Sequence, residues 1–204
     1  VLGRRYSAPF GISPIGLQGL MWPGATENLA AAAKAHEIPF VLSTVATASI
    51  ETVAEITDGD AWFQLYHPAE DALRDKLLDR VAAAGLPVLV ILAATPTEFK
   101  SMKPYIPPGL TMKHLGLFMN KTFSGRLNPD KIAAIRDRWK GKLVVKGIVN
   151  PEAAEEAIRL GVDGLIVSNH GGRQLAAGQS TIVPMTQLAT EFGARTTEML
   201  GSRM

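Results

Sequence analysis

The chain has 204 residues, of which 47% are hydrophobic, so it is long enough to bury one substantial core. It contains no cysteine, which excludes disulfides, a thiolate nucleophile and a cysteine-ligated metal. Its 21 basic and 19 acidic residues give a net charge of +2, too small to build a broad field for nucleic acid, so we expect a small-molecule partner.

The apolar segments are short. None approaches the roughly 20 residues of a membrane span, and the first residues lack the charged-then-apolar layout of a signal peptide. These features predict a cytoplasmic protein and leave room for a peripheral contact with a membrane.

Short apolar or β-branched runs alternate with alanine-rich amphipathic stretches, which predicts parallel β/α units. In the first half, the predicted strands are 10–16, 39–44, 61–66 and 87–95, and the predicted helices are 25–37, about 49–57 and 69–85. Thr26 is the predicted N-cap of the first helix, and Gly85 the predicted C-terminal cap of the third. The run at 87–95 is apolar throughout, which is typical of a strand buried on both faces.

The alternation stops at Pro96 and leaves an irregular insert over 96–127. Some thirty residues without periodicity exceed most loops of a compact domain. The insert contains methionines and aromatic residues, which favour either a lid over a substrate or ordinary packing against the core. Residues missing from the sequence at this point would leave the same irregularity.

The alternation resumes with helices at 128–141 and 150–161, each opening with an asparagine N-cap followed by proline. Strands are predicted at 142–149 and 162–169, before and after the second of these helices. A strand, crossover helix and strand this short place the two strands parallel and adjacent. Lys146 and His170 are therefore expected on one face of the sheet.

Polar residues stand at the carboxyl ends of the predicted strands, where parallel α/β proteins bind ligands. They are Ser43, Thr44, Gln64, Tyr66, Lys146, Ser168, Asn169 and His170. Each one taken alone is most simply a strand-end group that hydrogen-bonds a nearby loop.

The stretch "SNHGGRQL" (168–175) adds a chemical combination. His170 can take a proton near neutral pH, and Arg173 offers a planar fork for a carboxylate. Gly171 and Gly172 allow a tight backbone path close to a ligand. A base beside a carboxylate clamp suits chemistry at the carbon next to a carboxylate.

Five blocks in the same order carry a family resemblance: "APFGISPIGLQGLMWPG" (8–24), "LSTVATAS" (42–49), "WFQLY" (62–66), "VVKG" (144–147) and "SNHGGRQL" (168–175). Together they resemble the FMN-dependent 2-hydroxy acid oxidases and dehydrogenases, the lactate, glycolate and mandelate enzymes. The resemblance covers most of the chain outside 96–127 and the last dozen residues. It implies the α/β class and a single TIM (β/α)8 barrel domain over 1–204, incomplete in these residues.

The resemblance implies four catalytic roles. His170 is the active-site base, and Arg173 binds the substrate carboxylate. Tyr66 contacts the substrate, although a packing residue at this position would look the same. Lys146 lies beside the N1 and O2 edge of the flavin, where its charge stabilises the anionic reduced ring. No metal site is expected.

The resemblance also implies an FMN site. Pro14, Ile15 and Gly16 run along the flavin, partly through backbone groups, and Ser43 and Gln64 hydrogen-bond it. Without a flavin, the side chains of Ser43 and Gln64 would simply hydrogen-bond backbone groups at the barrel end.

The chain departs from the family at several positions. Ala94 stands where the family has an aspartate that pairs with the histidine, a loss expected to cost several kcal/mol of transition-state stabilisation. Only Lys100 and Lys103 are available where a second substrate-binding arginine should follow, and Ala176 replaces another aspartate.

The family closes its barrel with two further strands that hold the FMN phosphate, and a complete barrel usually needs about 250 residues. Six strands can be counted here, and an open edge of buried-type strands invites aggregation. We therefore expect these residues to be an incomplete copy of a longer chain, with some aspartates truncated to alanine.

The implied reaction is oxidation of an L-2-hydroxy acid to the 2-keto acid, with FMN taking the electrons and oxygen or a quinone or cytochrome reoxidising it. Family members are often tetramers, so we expect a homo-oligomer. Two alternatives fit the same residues: a non-catalytic relic or fragment of such a barrel, which Ala94 favours, and another FMN barrel such as an isomerase or synthase.

Overall fold

A computed structural model of the chain describes residues 1–92, 127–169 and 180–201. They belong to two compact units. The first unit holds residues 6–87, and the second holds 1–5 and 88–92 with the described residues from 127 onward. Nearly all of the predicted insert 96–127 lies outside the described residues. The assignment of 1–204 to one domain remains a prediction.

The first unit contains two short parallel strands, β1 (Val41–Ser43) and β2 (Trp62–Leu65), in a register that pairs Ser43 with Gln64. Both strands are buried along their whole length. Three helices accompany them: α1 (Ala25–Ala35), α2 (Ile50–Ile56) and α3 (Asp71–Ala83). Gly85 follows the end of α3 in the left-handed region, with a φ of 76°, as predicted for a glycine that closes a helix.

The strand predicted at 10–16 is wrong. Only one isolated parallel bridge, between Ile12 and Phe40, forms there. Ile12 N donates to Pro39 O at 2.8 Å, and Val41 N donates to Ile12 O at 3.0 Å. Pro14 has no N–H to continue the ladder, so the segment runs alongside β1 without becoming a strand.

The prediction of Thr26 as an N-cap is also wrong. Gly24 precedes α1 with a φ of 73°, a conformation that favours glycine. Thr26 lies inside the first turn, fully buried, and its hydroxyl makes a 3.0 Å hydrogen bond with the hydroxyl of Thr47. The side chain therefore connects α1 to the loop after β1 instead of capping the helix.

The second unit contains four parallel strands that pair in chain order: β3 (Val88–Leu92), β4 (Lys142–Ile148), β5 (Gly164–Val167) and β6 (Thr197–Leu200). Its helices are α4 (Pro129–Arg138), α5 (Pro151–Arg159) and α6 (Ile182–Phe192). The strand β3 is buried throughout, as its apolar sequence predicted. Neither α6 nor β6 was predicted.

The two asparagine caps are confirmed. The side chain of Asn128 accepts a hydrogen bond from Lys131 N at 2.9 Å, and that of Asn150 accepts one from Ala153 N at 2.8 Å. The helix α4 nevertheless ends at Arg138, before the predicted limit of 141. The guanidinium of Arg136 binds the carbonyl oxygens of Trp139 and Gly141, which satisfies these groups outside the helix.

Candidate active site

In the first unit, the polar side chains of Ser43 and Gln64 lie next to each other at the carboxyl ends of β1 and β2. Because the two residues pair in register on parallel strands, their side chains project from the same face of the sheet. Ser43 is 3% exposed and Gln64 2% exposed. The hydroxyl of Ser43 accepts a 3.3 Å hydrogen bond from Val45 N, which helps to turn the chain after the strand.

The amide oxygen Oε1 of Gln64 is buried and has no hydrogen-bond partner within the residues that the structure describes. A buried acceptor of this kind costs free energy unless a ligand supplies a donor. The isoalloxazine ring of FMN carries one N–H group between two carbonyls, which is a donor of the required kind. The buried amide therefore fits the predicted role of Gln64 toward FMN.

Thr44, the first residue after β1, links the two strand ends. Its N–H donates to Gln64 O at 2.9 Å, and its hydroxyl donates to the same oxygen at 2.5 Å. The hydroxyl also accepts a 3.1 Å hydrogen bond from Tyr66 N. Tyr66 is 8% exposed, so the backbone that carries both Gln64 and Tyr66 is fixed next to β1.

The segment that contains Pro14, Ile15 and Gly16 packs on the loop after β1. Leu17 N donates to Val45 O at 2.9 Å. A Cβ atom added at Gly16 would lie 2.8 Å from Cγ2 of Val45, so only glycine fits without a shift. Ile15 is 44% exposed, which leaves this segment accessible to a ligand.

In the second unit, Lys146 lies near the carboxyl end of β4, where it pairs in register with Leu92 on β3 and Ile166 on β5. Its side chain is 7% exposed, and Nζ donates to Ser168 Oγ at 3.4 Å. A buried ammonium at a strand end suits the stabilisation of negative charge on a ligand. Lys146 therefore fits its predicted role.

A β-bulge follows Lys146. The register between β4 and β5 shifts between Lys146 and Ile148, and the intervening Gly147 has a φ of 101°. Such bulges redirect a side chain at the end of a strand. A glycine inside an apolar strand pattern is a recognised sign of a bulge, so the sequence "VVKGIV" carried a signal that the prediction did not use.

The opposite end of β4 is held by Asp163. Its carboxylate accepts hydrogen bonds from Leu143 N at 3.0 Å, Arg136 Nη1 at 3.0 Å and Lys142 Nζ at 2.8 Å. Burial acts to raise the pKa of Asp163, but the hydrogen bonds from Lys142 and Leu143 and the two positive charges outweigh it and lower the pKa. The ionised carboxylate thus fixes the start of the strand that bears Lys146.

The remaining predicted residues cannot be placed. His170 and Arg173, and the departures at Ala94, Lys100, Lys103 and Ala176, lie outside the described residues. The chain leads toward His170 through Ser168, which is 3% exposed, and Asn169. The roles of all the predicted site residues stay predictions: those of His170, Arg173, Tyr66, Lys146, Pro14, Ile15, Gly16, Ser43 and Gln64.

Residues 1–202 match the FMN-dependent dehydrogenase family. The chain belongs to that family. The family is FMN-dependent. The parallel β/α units of this chain and its similarity to solved structures of the family confirm the predicted fold class, a (β/α)8 barrel that is incomplete in these residues. No helix in residues 1–92, 127–169 and 180–201 has the length and apolar character that a membrane span requires.

Curated relatives of this chain come from several bacteria. One from Mycobacterium tuberculosis (strain ATCC 25618 / H37Rv) is 34% identical over 233 residues, covering 96% of this chain and 56% of that protein. The L-lactate dehydrogenase of Xanthobacter autotrophicus (strain ATCC BAA-1158 / Py2) is 30% identical over 231 residues, 93% of this chain and 60% of that protein. The chain thus spans somewhat more than half the length of these relatives.

Among solved structures, a soluble mutant of the membrane-associated (S)-mandelate dehydrogenase from Pseudomonas putida is 33% identical, with a TM-score of 0.83. The match covers 98% of this chain and 61% of that one. A mandelate oxidase with a TM-score of 0.86 is 24% identical and supports the fold alone.

Proposed function

We propose that this chain carries much of the active site of an oxidoreductase that converts an L-2-hydroxy acid to the 2-keto acid. The observation that carries the proposal is the buried Gln64 amide, whose acceptor has no partner among the described residues, beside Ser43 at the strand ends of a family member. When bound, FMN accepts the two electrons that leave the substrate.

Groups at and near the ends of β1 and β2 would bind and orient the flavin. Gln64 Oε1 would accept a hydrogen bond from the ring N–H, and the Ser43 hydroxyl would offer a second polar contact. The segment of Pro14, Ile15 and Gly16 would lie along the ring, and the missing Cβ of Gly16 allows close packing on Val45. Together these groups would hold a flat, partly polar ring in one orientation.

Lys146 would supply positive charge. Its ammonium is buried and fixed toward Ser168, so little reorganisation is needed when negative charge develops on a neighbouring ligand. A preorganised charge of this kind would favour the electron-rich state of a bound ring over the oxidised one.

Three side chains would act on the substrate. Arg173 would bind its carboxylate as a planar fork, and Tyr66 would contact it through the phenol. His170 would accept one proton: if it comes from the hydroxyl, the α-hydrogen leaves as hydride with the electron pair, and if it comes from the α-carbon, the hydroxyl proton is lost as well, so either route removes two protons and two electrons and gives the 2-keto acid. With Ala94 in place of an aspartate, His170 lacks one orienting carboxylate, so we expect slow turnover.

The test is a visible absorption spectrum of the protein with added FMN, followed by anaerobic addition of L-lactate, glycolate and L-mandelate. We expect bound flavin and bleaching with at least one L-acid, and none with D-lactate. Gln64→Leu, which removes the buried acceptor, should weaken FMN binding about tenfold. Gln187→Leu, at an exposed position on α6, is the matched control and should bind FMN normally.

The second candidate is the non-catalytic relic, favoured by the alanines at 94 and 176. Flavin that binds but is not bleached by any of the acids would support it. Failure of the wild-type chain to bind FMN at all would overturn the proposed oxidoreductase.

We further propose a cytoplasmic homotetramer in peripheral contact with a membrane, using oxygen, a quinone or a cytochrome as electron acceptor. The membrane-associated mandelate dehydrogenase relative supports the peripheral contact. Light scattering and vesicle sedimentation test the assembly and the membrane contact separately.

A further inference from the structure

The hydroxyl of Thr44 accepts a hydrogen bond that a backbone carbonyl oxygen would accept if the β1–β2 ladder continued. The ladder ends at the pair Ser43 and Gln64, because the chain turns there and Ala46 N donates back to Ser43 O at 3.0 Å. Tyr66 N donates at 3.1 Å to Thr44 Oγ1. A side chain has thus replaced the next backbone acceptor of the ladder.

The same hydroxyl serves two backbone groups at once. It donates to Gln64 O at 2.5 Å while it accepts from Tyr66 N, so it spans the peptide groups on both sides of Leu65. Only a group that is both donor and acceptor can do this, and at this side-chain length that means threonine or serine. Loss of the hydroxyl would leave a backbone N–H at a buried residue without this partner.

We propose that Thr44 is a positioning residue for the flavin and substrate site. It fixes the backbone of residues 64–66, and thereby the direction in which Gln64 presents its amide and Tyr66 its phenol. The expected effect on flavin and substrate rests on the proposed function. The hydrogen-bond geometry does not, because it involves only groups of this chain.

Thr44 contributes little through packing, since it is only partly buried. Valine has nearly the same shape, so Thr44→Val removes the hydroxyl with little change in volume. Thr44→Ser keeps the hydroxyl and removes the methyl group. The pair separates the positioning role from a purely structural one.

The first measurement is hydrogen exchange at the Tyr66 amide, which needs no flavin. Thr44→Val should accelerate this exchange about tenfold, and Thr44→Ser should leave it near the wild-type rate. As a control, Thr186→Val removes an exposed hydroxyl on α6 that donates to the carbonyl oxygen of Ile182 in its own helix, and it should not affect Tyr66. Circular dichroism confirms that each variant folds.

The second measurement is FMN affinity by quenching of flavin fluorescence. Thr44→Val should bind about tenfold more weakly than wild type, because the amide of Gln64 is no longer held in place, and Thr44→Ser should restore binding. If wild type binds FMN and Thr44→Val binds equally well, the positioning role is overturned. If wild type binds no FMN, the proposed function fails. In that case the hydrogen-exchange result still tests the structural part of the inference: an unchanged exchange rate at the Tyr66 amide in Thr44→Val would show that the Thr44 hydroxyl does not hold residues 64–66.

Discussion

The two units fix the strand ends that bear candidate site residues by different means. In the first unit, a side-chain hydroxyl, that of Thr44, holds the backbone that bears Gln64 and Tyr66. In the second unit, the backbone itself sets the direction of Lys146, through a bulge at Gly147 with a φ of 101°. The difference teaches that the β1 and β2 ends in the first unit depend on a removable polar group, whereas the β4 end in the second unit depends on a conformation that glycine adopts without strain.

The second unit also has an electrostatic anchor at the far end of the same strand. Asp163 N donates to Leu143 O at 2.8 Å, and the Asp163 carboxylate accepts from Leu143 N at 3.0 Å, so the two residues are bonded in both directions. Lys146 is therefore carried by a strand that is fixed at its start by charge and at its end by backbone geometry.

The largest expected effect comes from Asp163→Ala. This change removes the acceptor for a buried strand N–H and leaves Arg136 and Lys142 without a carboxylate, so we expect a loss of about 3 kcal/mol in the free energy of unfolding. Urea denaturation measures it. The control Glu155→Ala breaks an exposed pair with Arg195 and should change stability little. An equally small change for Asp163→Ala would contradict the idea of an anchored strand.

The lowered pKa of Asp163 adds a pH dependence with a definite sign. A carboxyl group with a lower pKa in the folded state stabilises the fold above its unfolded pKa of about 4 and loses this contribution as the pH falls through the folded pKa. Wild type should therefore lose stability below about pH 4 more steeply than Asp163→Asn, which cannot ionise. Parallel pH profiles for the two proteins would show that the Asp163 charge contributes nothing.

The next effect in size is that of Gly147→Ala. A side chain at this φ is strained, and we expect a cost of about 2 kcal/mol. Gly85→Ala is the matched control, because its φ is 76° and an added Cβ would meet nothing within 4 Å. Both variants should lose stability, but only Gly147→Ala should also weaken FMN binding, since Lys146 precedes it. Equal FMN affinities would mean that the bulge does not position Lys146.

Much of this architecture could be predicted from the sequence, because strands buried on both faces have continuous apolar runs. Five predicted strands correspond to β1 through β5, and the predicted N-caps Asn128 and Asn150 begin α4 and α5. The strand β6 was missed because its residues Thr197–Leu200 are half-exposed or exposed and mix polar with apolar types. The run at 10–16 has the composition of a strand, but proline and the tight approach of Gly11 to Pro39 keep it out of the ladder.

The candidate site was predictable only in part. The sequence identifies strand ends, and hence Gln64 and Lys146 as candidate ligand residues. It does not show where a ladder stops, so the double hydrogen bonding of Thr44 could not be derived from residue types, because it depends on backbone geometry that local composition does not specify. The glycine after Lys146 did signal a bulge, but residue types alone do not give the direction in which the bulge turns the Lys146 side chain.

The smallest expected effect returns to the first unit. Gly16 does not have a positive φ in the structure, so Gly16→Ala is opposed by crowding against Cγ2 of Val45 and not by backbone strain. Because Val45 is partly exposed and can shift, we expect a cost of about 1 kcal/mol. Adding Val45→Ala removes the crowded methyl group, so the double variant should be more stable than the sum of the two single changes predicts. If the changes in the unfolding free energy are strictly additive, the cost does not come from the Val45 methyl group. It would then come from the close backbone approach at the hydrogen bond from Leu17 N to Val45 O, so that Gly16, like Gly147, would affect stability through the main chain.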